Sequence, residues 1–215
     1  MTMKRLMTMM VAMTVSVATI QAQDAKPLYQ NNFEQATVDQ VPDGFLVLDG
    51  GFIVKEEGGN KFLELPGAPL DTFGVLFGPN EGINVAVSAK IHSSGKGRRF
   101  PAFAIGLNGA GGFRLQVSAA KKLLELYRGD DMVASAPYEW QSGSWTMLKL
   151  QLRELKAGEW KVEGKAWVQG AAEPKDWAIT HDAKDKPNSG RPSVWGNPFA
   201  GTPIRFDDLT LTSAK

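Results

Sequence analysis

The stretch Ile83-Asn-Val-Ala-Val-Ser-Ala-Lys-Ile-His92 decides the fold class, because apolar residues alternate along it with polar or small ones. Three later stretches repeat this alternation, at residues 113–118, 148–153 and 160–168. A period of two places successive side chains on opposite faces of a β-strand, so each stretch predicts a strand with one buried face and one solvent-exposed face. No long stretch has the spacing of an amphipathic helix. The sequence therefore predicts antiparallel sheet.

Turn signals separate the predicted strands at short intervals, at residues 42–44, 58–60, 79–82, 108–109 and 129–131. Glycine adopts positive φ without steric cost, and Asn and Asp tolerate it better than most residues. Residues 99–136 predict three hairpins, because their connections are too short for crossover helices. Within them, residues 123–128 fit a helical turn or a strand, and the flanking turn residues favour the strand. Many short antiparallel strands predict an all-β sandwich or barrel.

The N-terminus predicts export. Lys4 and Arg5 precede an uncharged, largely apolar stretch that ends at Ile20, and Ala22 provides a small-residue cleavage site. A membrane anchor is the alternative, but it needs about 20 strongly apolar residues, whereas Thr, Ser and Gln dilute this stretch. We therefore expect a signal peptide at residues 1–22, a short linker at 23–27 and one domain at 28–213, in the periplasm or outside the cell.

Charge and cysteine content exclude several function classes. The chain has 24 basic and 23 acidic residues, and removing the leader takes away two basic residues and no acidic one. The remaining 22 basic and 23 acidic residues give a net charge of −1, which argues against nucleic acid as a partner. The chain has no cysteine, so disulfides, thiolate metal sites and cysteine nucleophiles are excluded. No stretch after the leader is apolar enough to span a membrane.

Both ends of the mature chain resemble concanavalin A-like lectin/glucanase domains, including laminin-G-like modules. The resemblance rests on residues 28–34 as the opening strand, 201–211 as the closing strand beside it, and 144–152 with 160–168 as paired central strands. It covers residues 28–213 and extends to exported bacterial domains similar to family 16 glycoside hydrolases or 3-keto-disaccharide hydrolases. It implies an all-β, antiparallel two-sheet jelly roll. It also implies carbohydrate binding on the concave sheet or its rim, with calcium in some members.

No catalytic template is complete. Family 16 glycosidases carry a Glu-x-Asp-x-Glu cluster on one strand, and no such cluster occurs here. Glu163 lies between Lys161 and Lys165 on the polar side of its strand, which predicts a solvated row of charges. The two histidines, His92 and His181, lack metal-ligand spacing. Enzyme activity is therefore not indicated, although carboxylates from separate strands are left open.

Aromatic residues give the candidate binding site. Trp167 shares its parity with the polar residues of 160–168, so it is predicted to face outward, where a ring can stack on the apolar face of a sugar. Tyr127 and Glu125 share one face of their strand, and Arg114 lies on the neighbouring strand. These four are the predicted ligand-binding residues. The alternative for Trp167 is that the connection at residues 173–197 covers it.

The other tryptophans are predicted to be structural. Trp160 shares its parity with core residues, and Trp145 stands at a strand entrance. Residues 173–197 carry three prolines and little alternation, which predicts a long ordered connection with room for one short strand. Trp177 and Trp195 lie in this connection and are predicted to anchor it to the sandwich.

The last predicted strand changes phase. Ile204 and Phe206 share one parity, whereas Leu209 and Leu211 share the other, so a β-bulge at Asp207-Asp208 is predicted to absorb one residue. These two acids are also the predicted ligands of a structural calcium ion, a cation that prefers oxygen ligands. The alternative is that their carboxylates bond local backbone N–H groups.

Three functions remain open from the sequence. The first is an exported module that binds a glycan or polysaccharide and has no cofactor beyond that calcium. The second is a saccharide-acting hydrolase, which would need two carboxylates about 5–10 Å apart. The third is a structural domain with a protein partner, which would show a large flat apolar patch. Neither nucleic acid nor a membrane is expected as a partner.

Overall fold

The structure, a computed structural model, describes residues 27–67, 71–199 and 201–214, so the predicted signal peptide lies outside the described residues. In these ranges the chain forms fifteen β-strands and one 3-10 turn, Ala119–Lys121, and no helix there is long and apolar enough to cross a membrane. The strands are β1 Pro27–Asn31, β2 Leu46–Asp49, β3 Ile53–Glu57, β4 Asn60–Leu65, β5 Phe73–Leu76, β6 Val85–His92, β7 Ala102–Leu107, β8 Phe113–Ser118, β9 Leu123–Arg128, β10 Asp131–Pro137, β11 Trp145–Lys156, β12 Glu159–Val168, β13 Ile179–Ala183, β14 Ser193–Asn197 and β15 Ile204–Ser213.

These strands form two antiparallel sheets. The eight-stranded sheet has the order β13-β12-β11-β6-β15-β4-β3, and β1 pairs with β15 as its eighth member. The seven-stranded sheet has the order β10-β9-β8-β7-β14-β5-β2. The three hairpins predicted for residues 99–136 are confirmed, because β7 to β10 are consecutive neighbours in this sheet. The strand at residues 123–128 is confirmed as β9.

The core lies between the two sheets and is formed by the apolar parity of each strand. Leu148, Leu150 and Leu152 of β11 are fully buried, as are Leu115 and Val117 of β8. These are the positions that the alternation assigns to the inner face. Burial of each large apolar side chain contributes about 1.5–3 kcal/mol, so this inner layer supplies the main driving force for folding. The prediction of an antiparallel β-sandwich is confirmed.

The predicted bulge is present in β15. Its pairing register with β6 shifts between Asp207 and Thr210, and Asp208 has a φ of 50°. Before the bulge β15 pairs with β4, and after it β15 pairs with β1. The bulge therefore marks the point where one long strand changes neighbours, and the first and last strands lie side by side as predicted.

The connection at residues 173–197 differs from the prediction, because it contains two strands instead of one. β13 pairs with β12 at the edge of the eight-stranded sheet, and β14 lies between β7 and β5 in the seven-stranded sheet. In β14 the alternation is hidden because Ser193 and Gly196 are buried although neither is apolar. A small or hydroxyl-bearing residue at a buried position carries no apolar signal in the sequence.

The predicted solvated row of charges on β12 is wrong. Glu163 and Lys165 are only 6% and 5% exposed. Glu163 pairs with Arg153 at 2.8 Å, and the Lys165 ammonium lies 2.8 Å from Glu173. Lys165 also donates to the Pro174 carbonyl at 2.6 Å and lies 4.4 Å from the centre of the Trp177 ring. The chain after β12 folds back and covers Lys165, and Trp177 anchors that cover as predicted.

Candidate functional site

Two rows of side chains on the outer face of the seven-stranded sheet run across its strands. The first row runs through Met132, Tyr127, Arg114, Gly106, Ser193, Leu76 and Leu46. The second row runs through Ser135, Glu125, Gln116, Ala104, Trp195, Gly74 and Asp49. The register therefore brings together three of the residues predicted to bind ligand, Arg114, Glu125 and Tyr127.

The centre of these rows is a continuous layer of three side chains, Tyr127, Arg114 and Trp195, which we call the outer plate. The guanidinium carbon of Arg114 lies 5.0 Å from the centre of the Tyr127 ring and 5.5 Å from the centre of the Trp195 ring. All three side chains are partly exposed. A cation between two aromatic faces is attracted by both ring quadrupoles, at about 0.5–1 kcal/mol for each exposed pair. The outer plate spans four adjacent strands, from β9 to β14.

Small residues on the neighbouring strands let the Trp195 ring lie against the sheet. A Cβ on Gly74 would lie 2.9 Å from Cδ2 of Trp195 and closer still to Cε3 and Cζ3. On the other side Trp195 faces Ala104, which is fully buried. The indole Nε1 donates a hydrogen bond to the Ser193 hydroxyl at 2.8 Å. This bond and the missing side chain at Gly74 fix the orientation of the ring.

Glu125 lies beneath the outer plate and is fully buried. Its Oε2 accepts hydrogen bonds from the Tyr127 hydroxyl at 2.9 Å, from the Gln116 amide at 3.4 Å and from the Ser118 hydroxyl. Its Oε1 accepts one from the Lys121 ammonium at 2.9 Å. A ligand cannot reach this carboxylate, so its role in the site is to orient the groups around it.

These contacts set the charge of the site. Burial raises the pKa of the Glu125 carboxyl, but hydrogen bonds from Ser118, Lys121 and Tyr127 together outweigh burial and leave that pKa below its ordinary value. Burial and the hydrogen bond to Glu125 raise the pKa of the Tyr127 phenol. At neutral pH Glu125 is therefore an anion, Tyr127 keeps its proton and donates it, and the ring of Tyr127 is held in place.

The fourth predicted ligand-binding residue, Trp167, lies on the opposite side of the sandwich. It pairs across from Met147 on β11, on the outer face of the eight-stranded sheet, and it is partly buried. The structure thus does not bring Trp167 to the outer plate. Trp195, predicted to anchor the 173–197 connection, instead lies on β14 in the outer plate, and the weak alternation of that connection gives no signal for this position. Trp160 is buried as predicted.

The carboxylates predicted to bind calcium contact a lysine. The Lys90 ammonium lies 2.9 Å from Asp207 and 3.0 Å from Asp208, and Asn60 donates to Asp207 at 3.1 Å. Asp207 Oδ1 also accepts from the Asp208 backbone N–H at 2.7 Å, which is the local bond that the alternative predicted. No group of three or more His, Cys, Asp or Glu side chains suited to a metal occurs within the described ranges. Calcium here stays a prediction, and it would compete with Lys90.

Glu125 is the carboxylate that contacts the outer plate. Asp49 is the other acidic residue in the two rows, and five strand spacings separate it from Glu125, which is roughly 24 Å at ordinary spacing. A glycosidase pair would lie about 5–10 Å apart. Two open grooves, of about 560 and 590 Å³, lie elsewhere, the first beside Asn31 and Asp208 and the second beside Trp160. The outer plate thus presents two partly exposed aromatic rings on which an apolar ligand face can stack.

Comparison with known proteins identifies the fold. No protein-family model matches the sequence, and no curated protein matches it. Among solved structures, the carbohydrate binding module CBM66 from Bacillus subtilis is 15% identical, with a TM-score of 0.54, covering 79% of this chain and 96% of its own. The carbohydrate recognition domain of Emp46p in its potassium-bound form is 14% identical, with a TM-score of 0.61, covering 89% and 100%. The exoplasmic/lumenal domain of VIP36 in its Ca²⁺/Man2-bound form is 8% identical, with a TM-score of 0.60, covering 88% and 89%.

At these identities the likeness concerns the fold. It confirms the lectin-like jelly roll that the resemblance of the chain ends implied. The narrower resemblance to family 16 glycoside hydrolases and 3-keto-disaccharide hydrolases stays a prediction. One fold can carry many functions, so this likeness does not by itself assign a function to the outer plate.

Proposed function

We propose that this protein is an exported carbohydrate-binding module that binds a saccharide on the outer face of the seven-stranded sheet. The observation that carries the proposal is the outer plate, in which Tyr127, Arg114 and Trp195 form one partly exposed layer across four strands. A module of this kind needs no catalytic carboxylate pair, and the Glu125 carboxylate beneath this layer holds Tyr127 in place.

The chemistry of the outer plate suits sugars. A pyranose ring has an apolar C–H face that packs on an aromatic ring, and it has hydroxyls at its rim that need hydrogen-bond partners. Trp195 and Tyr127 supply the rings, and the Gln116 amide lies between them on β8. Because Ser193 and Glu125 hold the two aromatic side chains in position, little side-chain entropy is lost on binding.

The solved structures support the same function. CBM66 is a carbohydrate binding module, Emp46p contributes a carbohydrate recognition domain, and the VIP36 domain is exoplasmic or lumenal and was solved with Man2. The proposed leader at residues 1–22 agrees with a protein that meets glycans outside the cytoplasm.

A glycan-array screen of the full chain, expressed with its own leader, tests the proposal. We expect at least one glycan to bind, and we expect Trp195→Ala to weaken that binding tenfold or more, or about 1.4 kcal/mol. The matched control is Trp167→Ala, which removes the same side chain from the opposite sheet and should leave binding within about twofold, or about 0.4 kcal/mol.

Each other outcome has a definite meaning. Loss of binding in Trp167→Ala but not in Trp195→Ala would move the site to the eight-stranded sheet. Absence of binding to every glycan, by a protein whose circular dichroism shows a folded sandwich, would overturn the function. Release of reducing ends from a bound glycan would make the protein a hydrolase. Runs with calcium and with chelator show whether binding needs the ion predicted at Asp207 and Asp208.

A further inference from the structure

We infer, on the basis of the proposed function, that the saccharide bound at the outer plate is acidic and that its carboxylate pairs with Arg114. Neutral sugars need only the two aromatic rings and nearby hydrogen-bonding groups. The outer plate contains in addition a cation that has no anionic partner within the described part of the chain, and this cation is what selects an anionic sugar.

Arg114 differs from the other basic side chains of the strands. Lys55, Lys90, Arg128, Lys149, Arg153, Lys156, Lys161, Lys165 and Arg205 each contact a carboxylate. The ammonium of Lys61 donates instead to the backbone carbonyls of Glu34 and Ala36. Arg114 alone of these strand residues contacts only aromatic rings, and its Nε has no hydrogen-bond acceptor among the described residues.

The charges beneath the outer plate do not neutralise Arg114. Glu125 is the anion of the site, but its two oxygens are taken up by Lys121, Ser118, Tyr127 and Gln116. Counting Lys121 and Arg114 against Glu125 leaves one positive charge. That charge is partly buried beside two rings, where it is less screened than on an open surface. An anion that arrives with the ligand would complete the pairing.

A carboxylate fits this position better than a neutral hydroxyl. The guanidinium is planar and presents parallel N–H groups that match the two oxygens of a carboxylate, and such charge-assisted pairs are about twice as strong as neutral hydrogen bonds. Because the guanidinium carbon lies 5.0 Å from the centre of the Tyr127 ring and 5.5 Å from that of the Trp195 ring, a uronic acid stacked on either ring can place its C6 carboxylate within reach of Arg114. The expected ligand class is therefore a polysaccharide of uronic acids.

The test compares acidic polysaccharides with the same chains after reduction of their carboxyls to hydroxymethyl groups. The probes are polygalacturonate, alginate and hyaluronan, each with its carboxyl-reduced form, in binding assays at low and at high salt. We expect at least one acidic chain to bind tenfold or more tightly than its reduced form, with the difference shrinking as salt rises. In Arg114→Met the ratio of the two affinities should fall to within about threefold, because this side chain fills similar space without charge. Lys161→Met, on the opposite sheet, is the matched control and should keep the ratio.

The failures are distinguishable. Equal affinity of the native protein for an acidic chain and its reduced form would overturn the inference and leave the proposed function intact, as would binding to neutral glycans alone. Binding to no glycan at all would overturn both. An affinity ratio unchanged in a folded Arg114→Met variant would show that another group reads the charge. If Arg114→Met does not fold, the native chain still tests whether the ligand is acidic. Its affinity for each acidic chain is then compared with that for the carboxyl-reduced form, at low and at high salt.

Discussion

Replacing Gly74 by alanine tests the geometry on which the outer plate depends. Gly74 stands on β5 directly across from Trp195, and it has no left-handed φ, so alanine is compatible with its backbone. Its new Cβ would nevertheless lie 2.9 Å from Cδ2 of the indole and closer to two further ring atoms. Because carbon atoms pack at about 3.5–4.0 Å, the ring has to move outward by about 1 Å.

The cost of that movement follows from the contacts that it breaks. Overpacking costs about 1–3 kcal/mol, and loss of the hydrogen bond from Trp195 Nε1 to Ser193 adds about 1 kcal/mol. The stiffer unfolded chain of an alanine variant offsets about 0.4–1 kcal/mol of this. We expect a net loss of about 2 kcal/mol, which lowers Tm by about 4–8 °C in a domain of this size.

Three quantities are measured for Gly74→Ala: the Tm, the indole N–H resonance of Trp195 and the affinity for a glycan found in the screen. The resonance is assigned by its loss from the spectrum of Trp195→Phe. Gly74→Ala should shift the resonance and weaken binding tenfold or more. Gly111→Ala is the matched control, because a Cβ there meets nothing within 4 Å and the φ is ordinary. If Gly74→Ala kept the native Tm and the native indole resonance, the ring would not lie on Gly74 and the reasoning would be refuted.

Further predictions concern charges that the fold holds. Lys90→Met leaves the buried Asp207 carboxylate without its cation, so urea unfolding should show a loss of about 3–5 kcal/mol. Calcium should raise the Tm of this variant more than that of the native chain, because loss of Lys90 leaves both the Asp207 and Asp208 carboxylates free to bind the ion. Equal Tm shifts in the variant and the native chain would contradict calcium binding at these two residues. Glu125→Gln should be destabilising at neutral pH. Hydrogen bonds hold the folded pKa of Glu125 below its ordinary 4.5, so its stabilisation is present above that value and is lost as pH falls through the folded pKa. The stability gap between Glu125→Gln and the native chain should therefore narrow when unfolding is measured below pH 4.5, and a constant gap would argue against an ionised Glu125.

The alternation of side chains was enough to predict most of the fold. In β11 the parity of Leu148, Leu150 and Leu152 matches their burial, because a two-sheet sandwich buries one face of each strand and leaves the other to polar groups. The phase change in β15 predicted the bulge for the same reason, since one extra residue moves all later side chains to the other face.

The alternation did not predict burial correctly where side chains on an outer face are buried. In β14 small and hydroxyl residues fill buried positions, so Trp195 was not recognised as a strand residue. On β12 both Glu163 and Lys165 are buried although they are polar, because Glu163 contacts Gln151 and Arg153 of β11 and Lys165 is covered by the returning chain at residues 173–177. In both places contacts between distant parts of the chain decide which side chains are buried, and a period-two pattern carries no information about such contacts. Arg114, Glu125 and Tyr127 could be placed on one face from the sequence because each lies on a strand of regular alternation, and their role in binding stays a prediction.

The two outer faces of the sandwich use aromatic and basic residues in opposite ways. On the eight-stranded sheet Arg205 lies 4.6 Å from the Phe62 ring and Lys90 lies 4.9 Å from the Trp145 ring, yet each of these cations also contacts carboxylates. These two cations therefore have their charges satisfied within the chain. On the seven-stranded sheet Arg114 contacts the two rings and has no carboxylate partner among the residues that the structure describes. A half-buried guanidinium without an anion costs stability unless a partner completes it, and this imbalance supports the proposed binding of an acidic saccharide at the outer plate.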